Sequence, residues 1–273
     1  MNAMKMIELK KEDLYHGTLI LVNAGYPIRQ KGNRVESLTP VDGCFPHILM
    51  RGDAADALKR ILKTIGAGGS VVPVSGYRSA EEQADIYNTS LKENGEEFTK
   101  KYVALPDRSE HQTGLAIDLG LKKDQIDFIR PDFPYDGICG EFRKAAPDYG
   151  FIERYAGEKK EITGIAHEPW HFRYVGYPHS KIIAQNGFCL EEYIEFIRNF
   201  QENCRLSFHP IGNVADPLFV DGVGTGTEIY FVPAKDDKTM IAVPETQDVQ
   251  ISGNNVDGFI VTVAEKLPFC YAI

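Results

Sequence analysis

Hydrophobic and polar positions along the chain predict strands and helices in an irregular order. Between residues 53 and 65 the apolar positions recur at the three- and four-residue spacing of an amphipathic helix. Short apolar or alternating runs predict strands at residues 19–22, 71–74, 116–119, 151–155 and 171–175. The last two runs both alternate, so we expect them to pair in one antiparallel sheet. This order favours an α+β fold with a central antiparallel sheet over a doubly wound parallel sheet.

Beyond Cys204 the pattern changes to β-prone runs without helical periodicity. These runs lie at residues 228–232, 239–243, 249–251 and 258–263, and residues that favour turns separate them. We read them as hairpins. The sequence therefore predicts a large domain over residues 1–203 and a small all-β appendage over residues 204–273.

Charge and composition exclude several classes of partner. A formal net charge of -9 and a pI near 5.3 argue against a nucleic-acid-binding protein, because phosphate recognition needs a basic face. The N-terminal residues show no signal-peptide pattern, and the apolar runs are too short to span a bilayer. Five cysteines without CxxC spacing are typical of reduced thiols. We expect a cytoplasmic protein without a membrane span, and the sequence specifies no oligomeric state.

Two polar segments carry the candidate chemistry. The first contains His111 and Asp118, which are seven residues apart and could meet if the chain turns at Gly114. His171, in the second segment, would complete a His-Asp-His set. Three protein ligands leave the fourth tetrahedral position open, which distinguishes a catalytic zinc site from a structural one.

Glu168 adds a possible general base to this set. It lies three residues before His171 and could face the open position without binding the metal, where a base would take a proton from the attacking water. Each residue also has an ordinary structural interpretation, as a packed histidine or a carboxylate at the end of a strand. That interpretation weakens when the two segments are considered together.

Three segments resemble the VanY/VanX/VanXY family of zinc D-alanyl-D-alanine peptidases. They are residues 75–79 (SGYRS), 109–118 (SEHQTGLAID) and 163–176 (TGIAHEPWHFRYVG). The resemblance covers roughly residues 13 to 200, and the motifs are specific as a set. It implies that His111, Asp118 and His171 bind zinc, that Glu168 is the catalytic base, and that Arg78 stabilises the tetrahedral oxyanion.

Other residues near these motifs are candidates for binding the substrate. Arg78 suits an oxyanion independently of the resemblance, because its planar guanidinium is always charged and follows a predicted strand. Ser109 and Gln83 are candidates for holding the substrate's terminal carboxylate. Tyr77 and Trp170 are candidates for the pocket wall, although all four could be ordinary turn, surface or core residues.

The resemblance implies a zinc-dependent D,D-carboxypeptidase or D,D-dipeptidase. Its substrate would be the D-Ala-D-Ala terminus of a peptidoglycan precursor peptide or the free dipeptide, with a role in glycopeptide (vancomycin) resistance. An L,D-carboxypeptidase or a murein endopeptidase is an alternative within the same framework. A non-catalytic zinc module, as in the hedgehog signalling domain that shares this type of site, is an alternative of another class. The appendage could be a lid, a dimer surface or a module that binds cell-wall fragments.

Overall fold

The computed structural model describes residues 3–29, 37–209 and 226–264. Its strands are β1 (Met4–Lys10), β2 (Leu38–Pro40), β3 (Leu49–Arg51), β4 (Val71–Ser75), β5 (Ala116–Leu121), β6 (Phe151–Tyr155), β7 (Glu168–Tyr174), β8 (Leu206–Phe208), β9 (Thr227–Pro233), β10 (Lys238–Pro244), β11 (Asp248–Gly253) and β12 (Gly258–Ala264). Its α-helices are α1 (Gly52–Thr64), α2 (Ala80–Tyr102), α3 (Gly137–Ala145), α4 (Lys160–Thr163), α5 (His179–Asn186) and α6 (Leu190–Ile197). The chain divides into two compact units, a central unit (Leu21–Tyr193) and a terminal unit (Met1–Ile20 with Ile194–Ile273).

A four-stranded antiparallel sheet organises the central unit. Its strand order is β4-β5-β7-β6, and each neighbouring pair is antiparallel. This confirms the predicted strands at residues 71–74 and 116–119 and the pairing of 151–155 with 171–175. Helix α1 confirms the amphipathic pattern, with its apolar positions buried. The α+β class with a central antiparallel sheet is therefore confirmed.

Aromatic side chains pack against the sheet of the central unit. Phe172 of β7 contacts Phe142 of α3 edge-on, with ring centroids 4.9 Å apart, and contacts Phe133 at 5.4 Å. All three side chains are essentially inaccessible to solvent. Edge-to-face packing of this kind stabilises a core beyond the area that it buries. It anchors β7, the strand that carries the predicted site residues Glu168, Trp170 and His171, to α3.

The terminal unit is built from strands. Its four-stranded sheet has the order β11-β12-β9-β8, and β1 pairs separately with β10. The predicted strands beyond Cys204 are all present. The hairpin reading is confirmed for 249–251 with 258–263, which form the antiparallel pair β11 and β12. It is wrong for 228–232 with 239–243, because β9 pairs with β12 and β10 pairs with β1. Local patterns show which residues form strands, whereas long-range pairing depends on partners far away in the chain.

Two further differences concern the first 22 residues. The predicted strand at 19–22 is wrong: these residues are buried but have no strand conformation, and the Leu19 backbone N–H donates to the Ser252 Oγ at 2.9 Å. The expected division into residues 1–203 and 204–273 also differs from the two compact units, because β1 lies in the same unit as β10.

Among the described residues, every helix is too short or too polar to cross a bilayer.

Candidate active site

His111 lies on a single 3-10 turn, Glu110–Thr113, just before β5. Gly114 follows with a φ of 70°, in the left-handed region that favours glycine, and its N–H donates to the His111 carbonyl at 3.2 Å. This is the turn that the spacing predicted. The His111 Nδ1 lies 2.7 Å from the carbonyl oxygen of Gly76. That hydrogen bond leaves Nε2 to face Asp118, at 3.1 Å from Oδ2.

Asp118 and His171 are cross-strand neighbours on β5 and β7. Their Cα atoms are paired in the antiparallel register, so their side chains lie on the same face. The Asp118 Oδ1 lies 2.9 Å from the His171 Nδ1. One possible ligand atom from each of His111, Asp118 and His171 lies within 4.8 Å of the others, and all three residues are buried. This His-Asp-His group can hold a metal ion.

Glu168 begins β7 beside this group. Regular alternation would place residues three apart on opposite faces, but the pairing of β7 with β6 is irregular between Glu153 and Tyr155. The Glu168 Oε2 lies 4.0 Å from the His171 Nδ1. Burial raises the pKa of Glu168 to about 8, against the opposing effect of the His171 ring. A carboxyl group with this pKa can gain or lose a proton near neutral pH.

Arg78 is placed by the junction between β4 and α2. Ser79 caps the helix through a hydrogen bond from the third helical residue, as its sequence pattern indicates. The Arg78 guanidinium donates to the Ser75 Oγ at 2.9 Å, to the Gln83 Oε1 at 3.1 Å and to the Asp118 Oδ2 at 3.0 Å. These three bonds fix its planar group next to the His-Asp-His group.

Gly76 explains why this junction fits. A Cβ at Gly76 would lie 2.3 Å from the Leu49 carbonyl oxygen, so only glycine allows the chain to pass there. The Tyr77 N–H donates to the same oxygen at 2.7 Å. The backbone contact between this junction and β3 therefore supports both Arg78 and the carbonyl that orients His111.

Three of the four predicted substrate-binding residues lie around one cavity of about 460 Å³. Ser109, Gln83 and Trp170 line it together with the His-Asp-His group, Glu168 and Arg78. Tyr77 is not among its lining residues. The Gln83 side-chain oxygen accepts from the guanidinium, and its Nε2 donates to the Ala104 carbonyl at 2.8 Å. The roles of these residues in binding substrate stay predictions.

The two imidazoles of the group differ in their pKa. Burial, and then the Arg78 guanidinium, lower the pKa of His111 to about 4. Burial alone would lower the pKa of His171, but the hydrogen bond with Asp118 and the nearby Glu110 carboxylate raise it to about 9. A metal ion binds neutral imidazole. Metal binding at this group is therefore coupled to loss of a proton from His171.

A set of buried charges that the sequence patterns do not indicate lies behind His171. Glu110 accepts hydrogen bonds from Arg154 and Arg173, and Arg154 also pairs with Glu191. We call these four residues the buried ion-pair cluster. Burial would raise the pKa of Glu110, but the two guanidinium groups hold it well below its usual range. Alternation on β6 and β7 was the available signal, but it could not show which charges face inward.

Comparisons with known proteins agree with this geometry. The VanY family, D-alanyl-D-alanine carboxypeptidase, matches residues 47–177. The bifunctional D-Ala-D-Ala dipeptidase and carboxypeptidase VanXYC of Enterococcus gallinarum is 41% identical over 66% of this chain and 95% of its own length. The crystal structure of the vancomycin resistance D,D-dipeptidase VanXYg, in complex with a D-Ala-D-Ala phosphinate analog, superposes with a TM-score of 0.90. That match has 61% identity and covers 96% of this chain and 100% of the other.

A second solved structure holds a metal ion. The vancomycin resistance D,D-pentapeptidase VanY from a VanB-type cassette, in complex with Zn(II), is 29% identical to this chain. It covers 65% of this chain and 98% of its own, with a TM-score of 0.52. The fold and the site together are those of a metallopeptidase. The chain belongs to the VanY/VanXY family of D-alanyl-D-alanine peptidases.

Proposed function

We propose that this protein is a zinc-dependent D,D-peptidase that releases D-Ala from D-Ala-D-Ala. Its substrate is the free dipeptide, the end of a peptidoglycan precursor peptide, or both. The observation that carries the proposal is the buried group of His111, Asp118 and His171 with Glu168 beside it. The bifunctional activity in the name of VanXYC and the D-Ala-D-Ala analog bound to VanXYg support this choice of substrate.

Zinc fits the donor atoms that converge at the His-Asp-His group. His111 would bind through Nε2, His171 through Nδ1 and Asp118 through its carboxylate, and nitrogen and oxygen ligands of this kind are typical of catalytic zinc. The three residues leave room for a fourth ligand. When bound there, zinc would polarise the scissile carbonyl and acidify the attacking water.

Glu168 carries the proton in the proposed reaction. It takes a proton from the attacking water and returns it to the leaving amine, so no separate general acid is needed. Its position, 4.0 Å from the His171 Nδ1, is next to the metal-binding group but outside it. Burial favours the protonated form of its carboxyl group, which makes Glu168 a stronger base than an exposed glutamate.

Arg78 stabilises the negative charge that develops on the carbonyl oxygen. A guanidinium has five N–H groups. Within the described residues, three of those of Arg78 are used in the bonds to Ser75, Gln83 and Asp118, so two N–H groups remain for the substrate. Because these bonds fix the guanidinium before the reaction, little reorganisation is needed when the charge forms. Ser109 is the proposed partner of the substrate's terminal carboxylate, and Trp170 forms part of the cavity wall.

The proposed physiological role is glycopeptide resistance. Hydrolysis of D-Ala-D-Ala would remove the terminus that the relatives named for vancomycin resistance act on. We propose the cytoplasm as the compartment. Its support is that Cys44, Cys139, Cys189 and Cys204, the cysteines within the described residues, are all free, as is typical of a reducing environment. Fractionation of the source cells, followed by detection of the protein, tests this assignment.

The direct test is D-Ala release by the purified, zinc-loaded protein. We expect release from D-Ala-D-Ala and from a pentapeptide that ends in it, loss of release with a chelator, and recovery when zinc is added. Release of D-Ala from substrates with L-Ala before the terminal D-Ala would distinguish the L,D-carboxypeptidase alternative from a D,D-peptidase. His111→Ala should lose zinc and activity, whereas His47→Ala, an exposed histidine of the same unit, should keep both. No zinc-dependent release from any D-Ala-D-Ala substrate would refute the proposal.

A further inference from the structure

Glu110 is buried completely, although it is charged and lies next to a metal-binding residue. Its side chain has no exposed surface. Its Oε1 accepts from the Arg154 Nε at 2.9 Å and from the Arg173 Nη1 at 2.8 Å. A buried carboxylate is strongly unfavourable unless it is paired and hydrogen-bonded. The two arginines therefore hold this carboxylate in one orientation.

The rest of the buried ion-pair cluster balances its charge. Arg154 donates from both Nη atoms to the Glu191 carboxylate, at 2.9 Å and 2.7 Å. Two carboxylates and two guanidinium groups give the cluster no net charge. Glu110 therefore presents an oriented hydrogen-bond acceptor to its surroundings, and the cluster adds no net negative charge to the metal-binding group.

The second oxygen of Glu110 faces His171. Glu110 Oε2 and His171 Nε2 are both buried, and within the described residues each lacks a hydrogen-bond partner at ordinary distance. They lie 3.5 Å apart. The other nitrogen of the ring, Nδ1, is the one that faces Asp118. A neutral imidazole carries one proton, so a ring that binds a metal through Nδ1 must carry its proton on Nε2.

We propose that Glu110 is a positioning residue for the metal site, whose Oε2 accepts the Nε2–H of His171 and so fixes Nδ1 as the metal-binding atom. This rests on the proposed zinc site. His111 has the opposite arrangement, because its Nδ1 bonds to the Gly76 carbonyl and its Nε2 faces Asp118. With metal bound, the two imidazoles would thus carry their protons on different nitrogens, each donated to a different acceptor. A carboxylate that accepts from a metal-binding histidine orients the ring and increases its basicity.

A matched pair of variants separates positioning from simple stability. Glu110→Gln and Glu191→Gln each remove one carboxylate charge from the buried ion-pair cluster, but only Glu110 faces His171. The amide of the first variant has a single oxygen, so it cannot accept both from the arginines and from the His171 Nε2–H. Zinc affinity is measured by competition with a chelator, under conditions where circular dichroism shows each protein to be folded. We expect Glu110→Gln to bind zinc about 10- to 100-fold more weakly than wild type, and Glu191→Gln to bind it as wild type does.

The outcomes distinguish this inference from the proposed function. If the wild type binds no zinc, both are overturned. If the wild type binds zinc and Glu110→Gln binds it equally well, or if both variants lose affinity equally, only the positioning role is overturned. A measurement on the wild type covers the case in which Glu110→Gln does not fold. Nitrogen-15 spectra of the zinc-loaded protein should show the ring proton of His171 on Nε2 and that of His111 on Nδ1. A His171 proton on Nδ1 would overturn the inference.

Discussion

The two four-stranded sheets differ in what they bury. The sheet β4-β5-β7-β6 of the central unit carries Asp118, Arg154, Glu168, His171 and Arg173, all of them buried. In the described part of the terminal unit, the buried polar residues are threonine, serine and asparagine, and none is charged. Its core consists of residues such as Tyr230, Ile241, Val243, Phe259 and Val261.

This difference favours the sheet of the central unit as the one that bears the proposed chemistry. Apolar burial stabilises a sheet in proportion to the area removed from water, by about 25 cal/mol per Å². Burial of a charge costs free energy and persists only when partners compensate for it or when the reaction needs it. We therefore expect substitutions in the sheet of the central unit to change reaction rates, and substitutions in the sheet of the terminal unit to change stability.

The largest effect is expected from Glu168→Gln. The amide keeps the size of the side chain but cannot take a proton from water, so kcat should fall by about 10²- to 10⁴-fold. Zinc content, measured by atomic emission, should stay at the wild-type level, because Glu168 lies outside the His-Asp-His group. Glu161→Gln, which changes an exposed glutamate of α4, is the control and should keep full activity. Unaltered turnover in Glu168→Gln would remove this residue from the mechanism.

Arg78→Lys should have the next largest effect. Lysine keeps the charge but lacks the planar group that bonds to Ser75, Gln83 and Asp118 together. We expect kcat to fall by about 10²- to 10³-fold, as for the loss of one preorganised oxyanion donor, with a smaller change in KM. Arg51→Lys, which changes an arginine paired with Asp53 outside the cavity, is the matched control. A change confined to KM would assign Arg78 to ground-state binding of the substrate instead.

The metal-binding group could be predicted from the sequence because its signals are local. Gly114 marks a turn between His111 and Asp118, and the alternation around His171 marks its strand. The capping pattern at Ser79 likewise placed Arg78 at the start of α2. These signals depend on residues within one or two turns or strands of each other.

The buried ion-pair cluster and the pairing of β1 with β10 could not be predicted in the same way. Glu110 lies 44 residues from Arg154 and 63 from Arg173, so no local pattern connects them. Charged residues are usually exposed, so an arginine on a strand is expected to face solvent. Strand pairing across most of the chain depends on cross-strand packing, which no short pattern contains.

A buried histidine of the central unit tests whether burial of a titratable group that does not line the cavity affects only stability. His179 Nδ1 lies 2.6 Å from the Tyr193 hydroxyl, and burial lowers the pKa of His179 to about 3. Because the folded-state pKa lies below the unfolded value of about 6.5, protonation favours unfolding. Its contribution is fully present above pH 6.5 and is lost as the pH falls from 6.5 towards 3, by up to about 5 kcal/mol.

His179→Gln should therefore flatten the pH dependence of stability. The measurement is the urea midpoint of the variant and of the wild type between pH 7 and pH 4. The difference between the two midpoints at each pH cancels the contributions of groups common to both proteins. The activity at pH 7 should change little, because His179 does not line the cavity. Parallel pH profiles for the two proteins would contradict the assignment of a neutral, buried imidazole.

The smallest effect is expected from Ile241→Val on β10. It removes one methylene group from the apolar core of the terminal unit, which should lower the free energy of unfolding by about 1 kcal/mol. All described residues that line the site cavity lie in the central unit, so kcat and KM should stay at their wild-type values. Ile117→Val, at an equally buried position beside Asp118 on β5, is the matched control and should cost a similar amount of stability. If Ile241→Val lowered kcat in protein that is fully folded, the terminal unit would contribute to catalysis, and the contrast between the two units would fail.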